Sequence, residues 1–178
     1  MKFWKMNGAG NDFIIINNIE EKLPASCFGK LAKTLCERHL SIGADGFMVV
    51  ETPDGKADYK MLFFNSDGSM GEMCGNGARC ISRYGYETGL AGETQVIETT
   101  AGTVTGQRIS ERLYKVRLND PGVVKLDYPI EVEGVTYAVP FTSRESFGPL
   151  LTVNVRRLSM RDFVLGSNCK STCLYKSA

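Results

Sequence analysis

The sequence predicts an α+β fold, and three observations carry that reading. Short segments rich in β-branched and aromatic residues dominate the chain. Two segments have helical spacing or helical punctuation, and they are set among the strands instead of following each one. A regular strand–helix–strand rhythm is missing, so a doubly wound parallel sheet is not expected. Apolar residues make up 43% of the chain and charged residues 23%, the balance of a soluble globular protein. A length of 178 residues suffices for one medium domain, or a domain and a piece of another.

The elements follow in order. Residues 1–6 alternate weakly, as a strand does. Asn7 to Asp12 is a turn built on Gly8 and Gly10, and Phe13 to Ile16 is a second strand. This Gly-x-Gly lacks the third glycine of a dinucleotide fingerprint, because position 13 is Phe, so a hairpin turn is the better reading. Residues 24–39 read as the first helix. Pro24 suits an early helical position, and Phe28, Leu31, Ala32, Leu35 and Cys36 form one apolar stripe. His39 then falls at the helix end, as a capping or packing residue. Phe47 to Val50 is a strand, Thr52 to Lys56 is a turn with a Pro-Asp-Gly signal, and Ala57 to Phe64 is the next strand. A second helix is expected from about Gly75–Asn76 to about Gly89, a suitable stop residue. Three strands follow at Gln95–Thr100, Gly102–Arg108 and Tyr114–Leu118. Ile130 to Val139 is strand-like on either side of a Glu133-Gly134 turn.

Composition sets residues 141–178 apart from residues 1–140. Six of the twelve serines but only two of the nineteen glycines fall in the last 38 residues. That tail carries six basic residues against two acidic ones. It reads as foreign to what precedes it, as a truncated or frame-shifted gene or a divergent natural tail would, and it is expected to pack poorly on residues 1–120.

Several function classes are excluded as expectations. A net charge of +1 argues against a nucleic-acid footprint. No stretch approaches the ~20 apolar residues of a membrane span. The N-terminus shows no signal peptide, only the short apolar run Phe13 to Ile16. The chain is therefore expected in the reducing cytoplasm, where its six cysteines keep their thiols. His39 is the only histidine. Cys169 and Cys173 have helical spacing, but two soft ligands do not make a zinc site.

The chain is organised around residues 65–80, Asn-Ser-Asp-Gly-Ser-Met-Gly-Glu-Met-Cys-Gly-Asn-Gly-Ala-Arg-Cys. An apolar strand leads into it, and small residues follow it in the second helix. Cys74 should therefore sit where a loop passes into a helix. The first N–H groups of a helix lack internal partners and carry partial positive charge. They favour a thiolate over a thiol and can hold a carboxylate. The bland alternatives are an inert packed cysteine and an ordinary turn.

This string closely resembles the active-site segment of the diaminopimelate epimerases, in which Asn-x-Asp-Gly-Ser is followed by Cys-Gly-Asn-Gly-Ala-Arg-Cys. Lys5 to Phe13 resembles the opening of the same family, and Arg38 to Gly46 follows it again. Some family members carry glutamine where this chain has Gly46, so that contact is not carried over. The resemblance covers residues 1–120 well, 121–140 loosely and 141–178 not at all. It implies a barrel of mixed β-strands around a central helix, one domain plus an incomplete second half. It also implies epimerisation of LL-diaminopimelate to the meso isomer by two-thiol acid–base chemistry without pyridoxal or another cofactor. Cys74 would be one thiol. Gly75 and Asn76 would offer backbone N–H groups to the α-carboxylate, and Asn11 and Asn65 would offer side-chain amides to the substrate. Arg79 and Cys80 belong to the motif but are read as structural, turned away from the mouth. The expected partner is a small amino acid, and a homodimer is allowed. The family's second catalytic Cys-Gly segment is absent from the tail, so impaired turnover is expected. A non-catalytic half-domain, or a proline-racemase-like or phenazine-biosynthesis-like isomerase, is the alternative. Cysteine at 74 weighs against the phenazine type and the Asn11 and Asn65 contexts weigh against the racemase type.

Overall fold

A computed structural model describes residues 1–117, 124–144 and 147–151. The chain divides into two compact units, one over Met1–Asp120 with Glu145–Phe147, the other over Pro121–Arg144 with Gly148–Ala178.

In the first unit, β1 (Trp4–Gly8) and β2 (Asn11–Asn17) form a hairpin in which Gly8 pairs with Asn11. The two turn residues, Ala9 and Gly10, both have positive φ, 51° and 98°. That is the handedness a two-residue hairpin loop needs to match strand twist. After β2 come α1 (Asn18–Glu21), a 3-10 turn (Ala25–Cys27) and α2 (Phe28–Leu35). Then follow β3 (Gly46–Glu51), β4 (Tyr59–Asn65), a short β5 (Met70–Gly71) and α3 (Gly75–Glu87). The unit closes with β6 (Thr94–Thr99), β7 (Gly102–Arg108) and β8 (Tyr114–Arg117). The strands lie in the order β1-β2-β3-β4-β6-β7-β8, with β5 beside β4.

Two pairings are parallel, β2 with β3 and β4 with β6, each bridged by helix. Two strand–helix–strand crossovers therefore exist, set apart by the antiparallel pairings between them, and no regular strand–helix–strand rhythm results. Helix α3 packs against β1 and β2 near one edge of the sheet and β7 and β8 at the other. The sheet therefore curls around α3 as a half-barrel, the mixed α+β architecture the sequence led us to expect.

The apolar pattern reports which strands are covered on both faces. Phe13, Ile15, Met48 and Val50 join the core under α3, whereas Ile14, Ile16, Phe47 and Val49 join a second core under α2. Buried on both sides, β2 and β3 read as continuous apolar runs. Strands β6 and β7 have one covered face and alternate instead, with Gln95, Ile97 and Val104 buried.

The first helix is shorter than its apolar stripe suggests. Gly43 donates to the Leu35 carbonyl at 2.9 Å and Ala44 to the Cys36 carbonyl at 3.1 Å. The returning loop thus takes the carbonyls a longer helix would use. His39 is not at a helix end: it lies in the following turn, exposed, with φ 72°. Helix α3 has the expected bounds, and Gly89 beyond it adopts φ 75°.

The second unit carries β9 (Val124–Val132), β10 (Val135–Arg144) and β11 (Phe147–Leu151) in the order β11-β10-β9. β9 and β10 are joined by the Glu133-Gly134 turn, φ 51° and 76°. Residues 141–144 and 147–151 of the tail are thus strand. Cys169, Cys173 and the packing of residues 152–178 lie outside the described residues.

Candidate active site

One end of the curled sheet gathers the motif residues. Gly8 pairs with Asn11, Phe13 with Gly46, and Gly46 with Asn65. Asn11, Asp45 and Asn65 therefore share that end, and helix α3 starts there, because Asn76 donates its side-chain amide to the Asn11 Oδ1 at 2.7 Å.

Cys74 is the N-cap of α3, with an extended backbone at φ −129° and ψ 117°. Its Sγ accepts the Gly77 N–H at 3.4 Å, and its carbonyl accepts the Ala78 N–H at 2.7 Å. The sulfur thus takes up one of the donors that a helix start leaves orphaned. Gly77 allows this close turn, since a Cβ there would lie 3.4 Å from the Cys74 Cβ and 3.3 Å from the Met48 Sδ. At Gly75 the situation is opposite: a Cβ would meet nothing within 4 Å. The space over the first turn of the helix is open.

A chain of polar side chains borders that space. Arg79 donates to the Asn76 Oδ1, Asn76 to the Asn11 Oδ1, and the Asn11 Nδ2 to the Asp45 Oδ2 at 3.0 Å. Asp45 is held from behind by Arg38 at 2.9 Å and by the Asp12 N–H at 3.1 Å. Arg38 also clasps the Asp12 carboxyl, at 2.6 Å and 3.3 Å, and Lys5 lies 2.8 Å from it. Burial alone would raise the Asp12 carboxyl, but the Arg38 and Lys5 hydrogen bonds outweigh it and hold the group well below the usual carboxylate range.

Four of the expected residues, Asn11, Cys74, Gly75 and Asn76, are brought together. Asn65 lies at the same end of the sheet, but its amide Nδ2 donates to the Ser69 Oγ at 3.0 Å and its N–H to the Ser69 carbonyl. In the first unit it closes the loop between β4 and β5. Gly46 packs so closely that a Cβ would lie 2.5 Å from the Phe63 ring. The reading of Arg79 as turned away is corrected: three residues along the helix, its long side chain reaches back to Asn76. The resemblance over Arg38 to Gly46 assigns no role to Asp45 or Arg38. The signal that marks them is charge in a Gly-rich loop opposite the Asn11 turn.

The other described thiols have different surroundings. Cys80 is buried against Gly8, whose Cβ would lie 2.7 Å from its Sγ. Burial first, and the neighbouring Cys74 second, push its thiol up to about 11. Cys36 and Cys27 sit in the core under α2, and burial pushes Cys36 up to about 11. Among the described residues no group of three His, Cys, Asp or Glu side chains could hold a metal ion. No described helix is long and apolar enough to cross a membrane.

The curled sheet places the chain in a class of folds that includes amino-acid racemases and epimerases. A hydroxyproline epimerase from Agrobacterium vitis matches with a TM-score of 0.58 at 16% identity, over 79% of this chain and 47% of that one. A probable proline racemase from Agrobacterium radiobacter K84 matches with a TM-score of 0.59 at 14% identity, over 79% and 48%. Sequence is more specific. The pattern that defines diaminopimelate epimerases matches residues 3–119. The diaminopimelate epimerase of Moorella thermoacetica is 44% identical over 154 residues, 77% of this chain and 54% of that protein. The chain belongs to the diaminopimelate epimerase family, and it spans about half the length of the curated relatives it matches.

Proposed function

We propose that this chain supplies one face of a cofactor-independent epimerisation of LL-diaminopimelate, with Cys74 as the group that removes or returns the α-proton. The observation that supports this most is the Cys74 sulfur at the start of α3, receiving the Gly77 N–H beside open space at Gly75. The substrate class comes from the family, to which the diaminopimelate epimerases of Moorella thermoacetica and Caldanaerobacter subterraneus belong.

The chemistry follows from the parts. An N–H donor favours the thiolate, the form that accepts a proton. The α-carboxylate docks on the backbone N–H groups of Gly75 and Asn76, which no side chain at 75 obstructs. When the thiolate takes the α-proton, negative charge spreads into that carboxylate, and the same hydrogen bonds strengthen. Asn11 and Asn65 supply amide N–H groups to the polar substrate. Asn65 does so with the N–H that its Ser69 bond leaves over. Inversion then requires an acid on the opposite face. Of the described thiols, Cys80 is kept protonated by burial and Cys27 and Cys36 belong to the other core. The described residues therefore supply half of the proton transfer, and turnover by them alone is expected to be slow. General acid–base groups are each worth roughly 10²–10⁴-fold.

The test is incubation of the protein with LL-diaminopimelate in deuterated water, beside Cys74→Ala. Deuterium at the α-carbon and the meso isomer are measured together. Exchange without much inversion, abolished in Cys74→Ala, is expected. Exchange unchanged by that substitution removes Cys74 from the chemistry. Ordinary inversion rates that vanish with it identify a second acid, and Cys169 and Cys173 are the first positions to replace.

A further inference from the structure

The Asn11–Asn76 pair poses a question that backbone geometry leaves open. An amide side chain can present either its oxygen or its NH2 in one direction, and only its neighbours decide which. Here the neighbours are charged and of opposite kind. Asp45 can only accept, and it meets the Asn11 Nδ2 at 3.0 Å. Arg79 can only donate, and it meets the Asn76 Oδ1. Between them Asn76 donates to Asn11 at 2.7 Å. All three bonds run the same way, from cation to anion.

We infer that Asp45 and Arg79 are positioning residues that fix the polarity of the Asn11–Asn76 amide pair, so that both amides keep an N–H available to a carboxylate beside Cys74. Each carbonyl oxygen already accepts a bond from within the chain, and each NH2 has one hydrogen left. Asp45 can do this because it is itself oriented. Its Oδ1 accepts from Arg38 at 2.9 Å, while its Oδ2 serves Asn11 and the Asp12 N–H. Bonds in such a chain reinforce one another, which makes the polarity firmer than any one contact. The inference rests on the carboxylate cradle proposed above.

A sign distinguishes this device from plain electrostatics. Asp45 is an anion near a site meant for an anion, so its charge alone weakens carboxylate binding. Positioning predicts the reverse, that losing the Asp45 carboxylate loses carboxylate preference. Asp45→Asn is not the test, because one oxygen in the place of Oδ2 still serves Asn11 and the Asp12 N–H together; Asp45→Ala removes the acceptor of the Asn11 amide altogether.

Alkylation of Cys74 by iodoacetate and by iodoacetamide reads the preference without requiring turnover. In both reactions the Sγ–C bond forms and iodide leaves. The two probes differ only in carrying a carboxylate or an amide next to the attacked carbon. Their rate ratio at the Cys74 peptide, divided by the ratio for glutathione, cancels thiolate content. The wild-type ratio is expected to exceed the glutathione ratio roughly tenfold, the worth of a hydrogen bond to a charged group. Asp45→Ala should bring it near the glutathione value. Arg79→Met should lose it, Arg79→Lys should restore it, and Arg83→Met, which removes a charge from the same helix, should keep it. A ratio in Asp45→Ala at or above wild type overturns the positioning role. If Asp45→Ala does not fold, a wild-type ratio in Arg79→Met overturns it instead. A wild-type ratio no higher than glutathione's removes the cradle itself, and the positioning role with it.

Discussion

Two of the three glycines of helix α3 lie ten positions apart in opposite surroundings. At Gly75 a Cβ would meet nothing within 4 Å. At Gly85 it would lie 2.7 Å from both the Gln95 Oε1 and the Tyr59 hydroxyl. The second glycine is needed by the protein itself. Tyr59, fully buried, shares its hydroxyl proton between the Gln95 Oε1 at 2.7 Å and the Ile81 carbonyl at 3.0 Å, and the Gln95 Nε2 donates to the Ser82 carbonyl at 2.7 Å. Burial keeps that hydroxyl protonated far above the ordinary range. Gly106 on β7 completes the fit, since a Cβ there would lie 2.2 Å from the Ser82 Oγ. Nothing in the described structure needs the first glycine. The comparison teaches that one residue type on one helix serves close packing at one end and vacant space at the other, and only the neighbours tell which.

The most damaging way to separate the two ends is Cys74→Ala. It should lower α-proton exchange by at least about 10²-fold while costing under about 1 kcal/mol of stability, the scale of a lost cap, as urea denaturation would show. Stability lost on the scale of a core mutation would mean that the cysteine is packing after all. At the other end, Gly85→Ala should cost about 1–3 kcal/mol through overpacking, a loss larger than alanine's helical advantage of about 1 kcal/mol. Alkylation of Cys74 should then stay at the wild-type rate below the unfolding transition. The same substitution at Gly75 should change sign. Gly75→Ala is expected to be neutral or stabilising by up to about 1 kcal/mol, yet it should weaken protection of Cys74 by diaminopimelate against iodoacetamide. Equal protection in both proteins would remove the reason given for the vacancy.

The smallest effect expected is electrostatic. The Asp12 carboxyl is depressed in the fold by Arg38 and Lys5, against a burial cost. A depressed carboxyl contributes stability above its unfolded value of about 3.9, and loses it as pH falls through the folded value. Wild type should therefore exceed Asp12→Asn by at most about 1 kcal/mol near neutral pH, with the gap closing below about pH 4. A gap that widens on acidification would contradict the clasp.

Sequence alone determined the elements whose cause is local. Cys74 followed by glycines, with Gly89 downstream, marked both ends of α3. Paired turn residues marked the bends at Gly8–Asn11 and Glu133-Gly134. The length of the motif around Cys74 carried the family. Tertiary structure decided the rest, because those features depend on groups far apart in the chain. The parallel pairings arise only when helices cross between strands. The end of α2 was set by a loop that returns to take its carbonyls. Asp45 meets Asn11 across 34 residues and Asn76 meets Asn11 across 65. No window of sequence holds both partners of such a bond, so the polarity of the amides beside Cys74 became visible only in the fold.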